Sequence, residues 1–168
     1  MSDTTEPART RTFGWDDPQV TAAGMQGRTG LQFIEALASG EVPPAPIAQT
    51  LGFAGVTDVG DGHVVFEMDP AEFHFNPIGS VHGGVYATLL DSACGCAVQT
   101  KLPEGVGYTS VELSVKFLGA ARIGSGTLRC TGTVTHFGRR TALAEARIED
   151  ASGRLLATAT STCLILTG

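Results

Sequence analysis

The stretch NPIGSVHGGVYATLLDSACG, residues 76–95, decides the expected fold of this chain. Its glycine pair and the apolar run after it predict a helix that begins near Gly83 and ends at about Thr100, before a proline and a glycine. Asp91 is the only charged residue of that helix. The stretch therefore predicts one long, nearly uncharged helix that carries a single carboxylate.

The position of Asp91 on this helix is informative. Since about seven residues bring a helix back to nearly the same face, Asp91 lies in line with Gly84. The residues beside that line are mostly small: Ala87, Thr88, Cys94, Gly95 and Val98. The opposite side is larger and more apolar: Val85, Tyr86, Leu89, Leu90, Ala93, Cys96 and Ala97. We expect the larger side to pack on a sheet, so that Asp91 points into a cleft or toward a closely approaching second subunit.

The segments around this helix predict a short helix and six strands. Residues 1–29 lack sustained periodicity and are expected to be irregular. The segment GLQFIEALASG then predicts a short helix with an apolar stripe of Leu31, Ile34, Leu37 and Ala38. From Pro46 the pattern is that of strands, first IAQTLGFAGVTDVG and then HVVFEM. We therefore divide the chain into an irregular segment with a short helix, 1–45, and a main domain, 46–168.

Four more strands are expected after the long helix. In YTSVELSVKFLG, strict alternation places four apolar residues on a buried face: Val111, Leu113, Val115 and Phe117. It places Ser110 on the polar face, together with Glu112, Ser114 and Lys116. GTLRCTGTVTHFG, RRTALAEARIED and RLLATATSTCLILT follow, and the second turns Ala142, Ala144, Ala146 and Ile148 inward, as close contact with a helix requires. The sequence predicts a two-layer α+β domain of antiparallel strands around one central helix.

Composition excludes several classes of function. With 11 basic and 17 acidic residues, the 168-residue chain has a net charge of -6 and only one basic pair, Arg139 and Arg140, so nucleic-acid binding is not expected. The sequence has no apolar run of about 20 residues and no signal-like start, so we expect a cytoplasmic protein without a membrane partner. Its four cysteines lack zinc-ligand spacing, and no metal site is predicted.

The start of the long helix has the features of an oxyanion site. Backbone N–H groups in a first helical turn have no intrahelical partner, and the helix dipole favours negative charge there. Gly83 and Gly84 carry no side chain that would block a carbonyl oxygen, and His82 adds a polar group. Two turns, roughly 11 Å, separate this end from Asp91, too far for one small carbonyl to touch both. The spacing predicts a site shared by two subunits with antiparallel helices.

Three stretches together resemble a known family: the quoted one, YTSVELSVKFLGAARIGSG, and GRRTALAEARIEDASGRLLATATSTCLI. They are similar, over residues 46–166, to the hotdog-fold acyl-CoA thioesterases of the phenylacetate-pathway (PaaI-like) type. The resemblance implies a curved antiparallel sheet wrapped around a long central helix. It also implies active sites at the interface of a homodimer, or of a homotetramer built from two dimers. The substrate would be an acyl-CoA, and no cofactor would be needed because coenzyme A is part of the substrate.

The resemblance also implies roles for single residues. Asp91 would act as the nucleophile or as the general base for a water, and the Gly83 N–H would polarise the thioester carbonyl, which His82 helps to orient. Asn76 would hold the attacking water or the substrate, and the alternative is that it serves only as a turn residue before Pro77. Ser110 would assist the carboxylate, unless it is only an exposed strand serine.

The remaining parts of an acyl-CoA need other residues. Cations are required for the CoA phosphates, and Arg139, Arg140, Arg122 and Lys116 are the candidates. Gly84 and Thr88 are expected to bind the substrate. Small residues such as Ala87, Thr88 and Cys94 leave room beside Asp91, which favours an aromatic or bulky acyl group.

Two alternatives stay open at this point. The first is a hotdog-fold enoyl-CoA hydratase, for which the segment from Asp69 through His74 to His82 offers an aspartate and two histidines, although without the compact hydratase spacing. The second is a non-catalytic acyl-CoA-binding sensor, which would keep the pocket but would not need a carboxylate at the position of Asp91.

Overall fold

The computed structural model describes residues 9–166. Its helices are α1 (Pro18–Ala23), α2 (Gly30–Ser39), α3 (Pro46–Leu51) and α4 (Gly83–Thr100). Its strands are β1 (Val56–Gly60), β2 (His63–Met68), β3 (Gly107–Phe117), β4 (Leu128–Phe137), β5 (Thr141–Glu149) and β6 (Leu155–Leu166). Two short 3₁₀ turns cover Glu72–His74 and Ile123–Ser125.

The six strands form one antiparallel sheet in the order β1-β2-β4-β5-β6-β3, and α4 packs across one face of it. The predicted hotdog arrangement, a curved sheet around a long central helix, is confirmed, as are the bounds of that helix. β1 and β3 are the edge strands. β3 is the first strand after α4. Its residue Ser110 is hydrogen-bonded to Asp91, so this edge of the sheet lies next to the helix face that carries Asp91.

Strand β5 turns mostly small residues toward the helix. Ala142, Ala144, Ala146 and Ile148 of β5 are buried, as predicted. Gly132 of β4 allows the closest approach, because an added Cβ there would lie 2.2 Å from the carbonyl oxygen of Ala93 on α4. Leu89, Leu90 and Ala93 fill the space above these positions and are fully buried. Burial of this apolar surface is the main force that holds α4 on the sheet.

The first part of the chain differs from the prediction in three places. Residues 46–51 form a helix rather than a strand, since Pro46 suits the first helical turn and Gly52 ends the helix in the left-handed conformation, with φ 74°. α1 interrupts the segment 1–29, of which residues 1–8 lie outside the described part. On α2, Ala38 is exposed, and Phe33 takes its place in the buried stripe.

On α4, the small-residue face is less open than predicted. Cys94 and Val98 beside the Asp91 line are fully buried, and Gly95 is buried too, whereas Cys96 on the opposite side is only half-buried. The cover over Gly95 is Tyr108 of β3, whose hydroxyl oxygen would lie 2.3 Å from a Cβ added to the glycine. The open part of this face is therefore confined to the first half of the helix.

Candidate active site

The start of α4 leaves one backbone donor free. His82 is the N-cap residue, and its Nδ1 accepts a hydrogen bond from the Gly84 N–H at 2.8 Å. The Gly83 N–H donates to no acceptor among residues 9–166. The ring of Phe117 lies beside Gly83, where an added Cβ would be 3.1 Å from its Cζ. One unpaired N–H thus remains at the positive end of the helix dipole, where it can bind an oxyanion.

Asp91 lies two turns further along the same helix. It is half-buried, and in the described part of the chain its carboxylate makes no ion pair and accepts one hydrogen bond, from Ser110 Oγ to Oδ1 at 3.3 Å. A carboxylate with most of its lone pairs unused can attack a substrate or deprotonate a water.

A β-bulge explains how Ser110 reaches Asp91. In the pairing of β3 with β6, Ser110 lies opposite Cys163 and Glu112 lies opposite Thr162, so that Val111 is the extra residue. The side-chain alternation therefore shifts by one at this point. Ser110 faces α4, and the predicted strict alternation, which grouped it with Glu112 on the polar face, is wrong here. Val111 and Phe117, predicted to be buried, are 58% and 57% exposed.

Asn76 is held in the loop before α4. Its Oδ1 accepts hydrogen bonds from the N–H groups of Ile78, at 3.1 Å, and Ser80, at 3.4 Å. This is the turn geometry expected of an asparagine before a proline. Within the described chain, Asn76 does not contact Asp91, so a role in holding water at that carboxylate would have to be exercised in a neighbouring subunit.

The predicted substrate-binding residues lie in two places. On α4, Thr88 Oγ1 donates to the Gly84 carbonyl at 2.9 Å, one turn before Asp91. Arg139 and Arg140 lie in the exposed hairpin between β4 and β5 and form no ion pair with residues 9–166. The hairpin is at the same end of the sheet as Ser110, because Ser110 pairs with Cys163 and Cys163 pairs with Ala142.

The other two cation candidates lie elsewhere. Arg122 is exposed and follows Ala121, whose carbonyl accepts the Val81 N–H at 3.0 Å, just before the start of α4. Lys116 is exposed on the face of β3 that points away from α4.

The cysteines are unsuited to nucleophilic or metal chemistry. Burial raises the pKa of both Cys94 and Cys96 to about 12, so these thiols stay protonated near neutral pH. Across residues 9–166 there is no cluster of three or more His, Cys, Asp or Glu side chains that a metal ion would need. Asp91 is therefore the group near the helix start that is best placed for nucleophilic or base chemistry.

The residues of the hydratase alternative are not brought together as a site. Asp69 accepts a hydrogen bond from Thr127 Oγ1 at 2.6 Å. His74 is buried, and both of its ring nitrogens are used: Nδ1 accepts the Ala71 N–H at 3.0 Å and Nε2 donates to the Leu51 carbonyl at 2.6 Å. The carbonyl of His74 accepts the His82 N–H at 2.8 Å, so His74 supports the helix start through the backbone.

This support predicts a pH dependence of stability. Burial, and to a lesser extent the positive charge of Arg11, hold the pKa of His74 below 6.5, against the opposing effect of the Leu51 carbonyl. His74 therefore binds a proton more readily in the unfolded chain than in the folded one. Its contribution to the free energy of unfolding is fully present above about pH 6.5 and is lost as the pH falls toward the lower pKa of the folded state. Chemical unfolding between pH 7.5 and 5 should show a smaller loss for His74→Gln than for wild type. Equal losses in both, with exposed His136→Gln as the control, would contradict this role.

Some contacts at the site are not indicated by the sequence pattern. Tyr108 is one of these, and its phenol lies against the bare backbone at Gly95, one turn after Asp91. Burial raises the pKa of this phenol well above its usual 10, so it stays protonated. The signal that could have indicated it is a glycine in the interior of a helix, a position where glycine costs about 1 kcal/mol relative to alanine and calls for a packing reason.

Several known proteins are similar to this chain in sequence and fold. The model of the thioesterase superfamily matches residues 78–157, which include α4 and most of the sheet that follows it. A thioesterase family protein from Silicibacter pomeroyi has a similar structure, with a TM-score of 0.67 and 31% identity over 73% of this chain and 90% of that one. Human acyl-coenzyme A thioesterase 13 is 29% identical over 110 residues, 65% of this chain and 77% of that protein.

A further solved structure is that of a thioesterase protein from Streptococcus pneumoniae with coenzyme A, with a TM-score of 0.62 and 27% identity over 68% of this chain and 85% of that one. The chain belongs to the thioesterase superfamily. It is a thioester hydrolase with the hotdog fold, and the resemblance found in the sequence is confirmed at this level. Within residues 9–166, no helix has the length and apolar character to cross a membrane.

Proposed function

We propose that this hydrolase cleaves acyl-CoA thioesters to a free acid and CoA, with Asp91 as the attacking group or as the base for a water. The observation that carries the proposal is that α4 holds two groups with hydrogen-bonding capacity to spare, a carboxylate and a backbone N–H. Asp91 has spare acceptor sites and a supporting hydroxyl, and the Gly83 N–H has no acceptor among residues 9–166.

Both routes use these groups without a resident cofactor. As the nucleophile, Asp91 would add to the thioester carbonyl, the C–S bond would break, and water would open the resulting anhydride. As the base, Asp91 would take a proton from a water that attacks the carbonyl directly. In either route the Gly83 N–H would stabilise the oxyanion, and the departing thiolate would take up a proton. Thiolates are stable leaving groups near neutral pH, so no strong acid is required.

The separation of the two groups supports a site shared between two chains. Gly83 and Asp91 lie roughly 11 Å apart on α4, so one carbonyl cannot contact both. β3 is an edge strand of 11 residues whose outer side pairs with no other described strand, and it borders Asp91 through Ser110. Antiparallel pairing of β3 with its copy would place the two α4 helices side by side and antiparallel. The proposed assembly is a homodimer, or a homotetramer of two such dimers.

The CoA part of the substrate is supported by the relative from Streptococcus pneumoniae, whose structure holds coenzyme A. In this chain Arg139 and Arg140 are the proposed phosphate contacts, since they are exposed, form no ion pair in the described chain and lie at the Ser110 end of the sheet. The half-open face formed by Gly84, Ala87 and Thr88 leaves room beside Asp91 and favours an aromatic or bulky acyl group of the phenylacetate-pathway type.

The test of this function is thiol release from a panel of acyl-CoAs that contains phenylacetyl-, benzoyl-, hexanoyl- and palmitoyl-CoA. We expect release from the panel, fastest with the aromatic acyl groups. A blank with protein alone corrects for the four cysteines. Fastest release from palmitoyl-CoA would reject the aromatic preference only. Tight binding without release would support the sensor, and loss of enoyl absorbance from a crotonyl-CoA control would support the hydratase.

A further inference from the structure

The β-bulge in β3 is held by a hydroxyl from the neighbouring strand. The extra residue, Val111, interrupts the regular pairing of β3 with β6 at Glu112. Ser161 Oγ of β6 donates a hydrogen bond to the Glu112 carbonyl oxygen at 2.9 Å. Ser161 is only 2% exposed, so its hydroxyl cannot readily form a hydrogen bond with water. The bond to the Glu112 carbonyl provides the buried hydroxyl with a partner.

A second side chain links Ser161 to Ser110. Cys163 Sγ lies 3.9 Å from Ser110 Oγ and 3.9 Å from Ser161 Oγ, and Cys163 is fully buried. Burial raises the pKa of this thiol, which therefore keeps its proton and remains a weak donor. The polar groups form a continuous row, Ser161, Cys163, Ser110 and Asp91, from the interior of the sheet to the helix.

Packing alone does not account for this row. The helix-facing positions before it on β6 are alanines, Ala157 and Ala159, and both are buried. Another alanine at 161 would fit the same surface without a hydroxyl that needs a partner. The alanines give way to serine and cysteine at the point where β6 pairs with the bulge. This position indicates that the Ser161 hydroxyl stabilises the bulge.

We infer that Ser161 is a positioning residue for thioester hydrolysis, because its hydroxyl fixes the bulge that turns Ser110 toward Asp91. This inference rests on the proposed role of Asp91 and Ser110. Without the hydroxyl, the Glu112 carbonyl loses the hydrogen bond from Ser161, and the bulge can relax toward regular alternation. Regular alternation would turn Ser110 to the outer face of the sheet, away from the carboxylate.

The inference is tested by a double-mutant cycle on kcat and KM. Ser110→Ala should lower kcat about tenfold, as expected for loss of a hydrogen bond to a charged group. Ser161→Ala should lower kcat about three- to tenfold with KM nearly unchanged, and the double variant should be no slower than Ser110→Ala alone. Thr160→Ala, which removes an exposed hydroxyl from the outer face of the same strand, is the matched control and should keep wild-type kcat.

A second pair of variants separates positioning from folding. Ser161→Thr and Ser161→Val have nearly the same shape, and only threonine keeps the hydroxyl, so the threonine variant should be the faster of the two. Equal kcat in this pair, or a double variant slowed by the product of the single effects, would overturn the inference. A wrong role for Asp91 can be told apart from a wrong role for Ser161. If Asp91 is not the attacking group or the base, Asp91→Asn would keep its thiol-release activity whatever the result at Ser161.

Discussion

Asp91→Asn is expected to lower kcat for acyl-CoA hydrolysis by about a thousandfold or more, with KM changed little. Asparagine keeps the size of the side chain and can still accept the bond from Ser110, but it has neither the negative charge needed for attack nor the basicity needed to activate water. Asp91 is half-buried and forms no ion pair within residues 9–166, so the substitution breaks no other charged contact. The measurement is thiol release under saturating substrate.

Asp58→Asn is the matched control for this prediction. It makes the same chemical change at an exposed position of the edge strand β1, where the carboxylate lies 3.4 Å from His63 Nε2, and it should leave kcat at the wild-type value. Thermal unfolding of both variants separates a loss of chemistry from a loss of fold. An Asp91→Asn enzyme that kept a tenth or more of wild-type kcat would remove Asp91 from the mechanism and return the sensor and the hydratase to consideration.

Gly83→Pro is expected to lower kcat about a hundredfold or more, because proline has no N–H to donate to the oxyanion. The backbone tolerates the change, since proline suits the first position of a helix and His82, with φ -66° and ψ 140°, has the extended conformation required before it. Gly83→Ala is the control: it adds the same Cβ beside Phe117, an exposed ring that can move, but it keeps the N–H. Similar losses in both variants would indicate crowding instead of a lost donor.

The same two variants test whether the site is shared. If the Asp91 of one chain works with the Gly83 of its partner, a mixed dimer of Asp91→Asn and Gly83→Pro chains contains one intact site and one doubly defective site. Refolding the two inactive proteins together at equal amounts should then restore about a quarter of wild-type activity. If the mixture stays as inactive as its components although mixed dimers form, the carboxylate and the donor must act within one chain.

The parts of this structure that local signals determine could be predicted from the sequence. α4 has the predicted bounds because a capping histidine, a glycine pair and a following proline fix them. The strand expected from Pro46 onward begins only at Val56, because two local signals, Pro46 at the start and Gly52 at the end, determine the helix α3 before it. The burial of Gly95 depends on Tyr108 of β3, which is distant from it in sequence.

The orientation of Ser110 could not be predicted for a different reason. A bulge shifts the alternation by one residue, and the sequence on either side of Val111 reads equally well without it. Only pairing with β6 shows that Ser110 and Glu112 point to opposite faces. The spacing on α4 predicts a shared site, but it does not show which residues of a second chain complete it. The roles of the site residues, Asn76, Arg139 and Arg140 among them, therefore stay predictions.

The outer edge of β3, which pairs with no strand of residues 9–166, would also affect how the chain behaves in solution. A long strand with free backbone groups and exposed Val111 and Phe117 is a template for indiscriminate addition of other strands, which leads to aggregation. Pairing with an identical copy closes that edge. The strand that brings Asp91 to its partner would then also keep the protein soluble, so selection against aggregation and selection for activity would act on the same 11 residues.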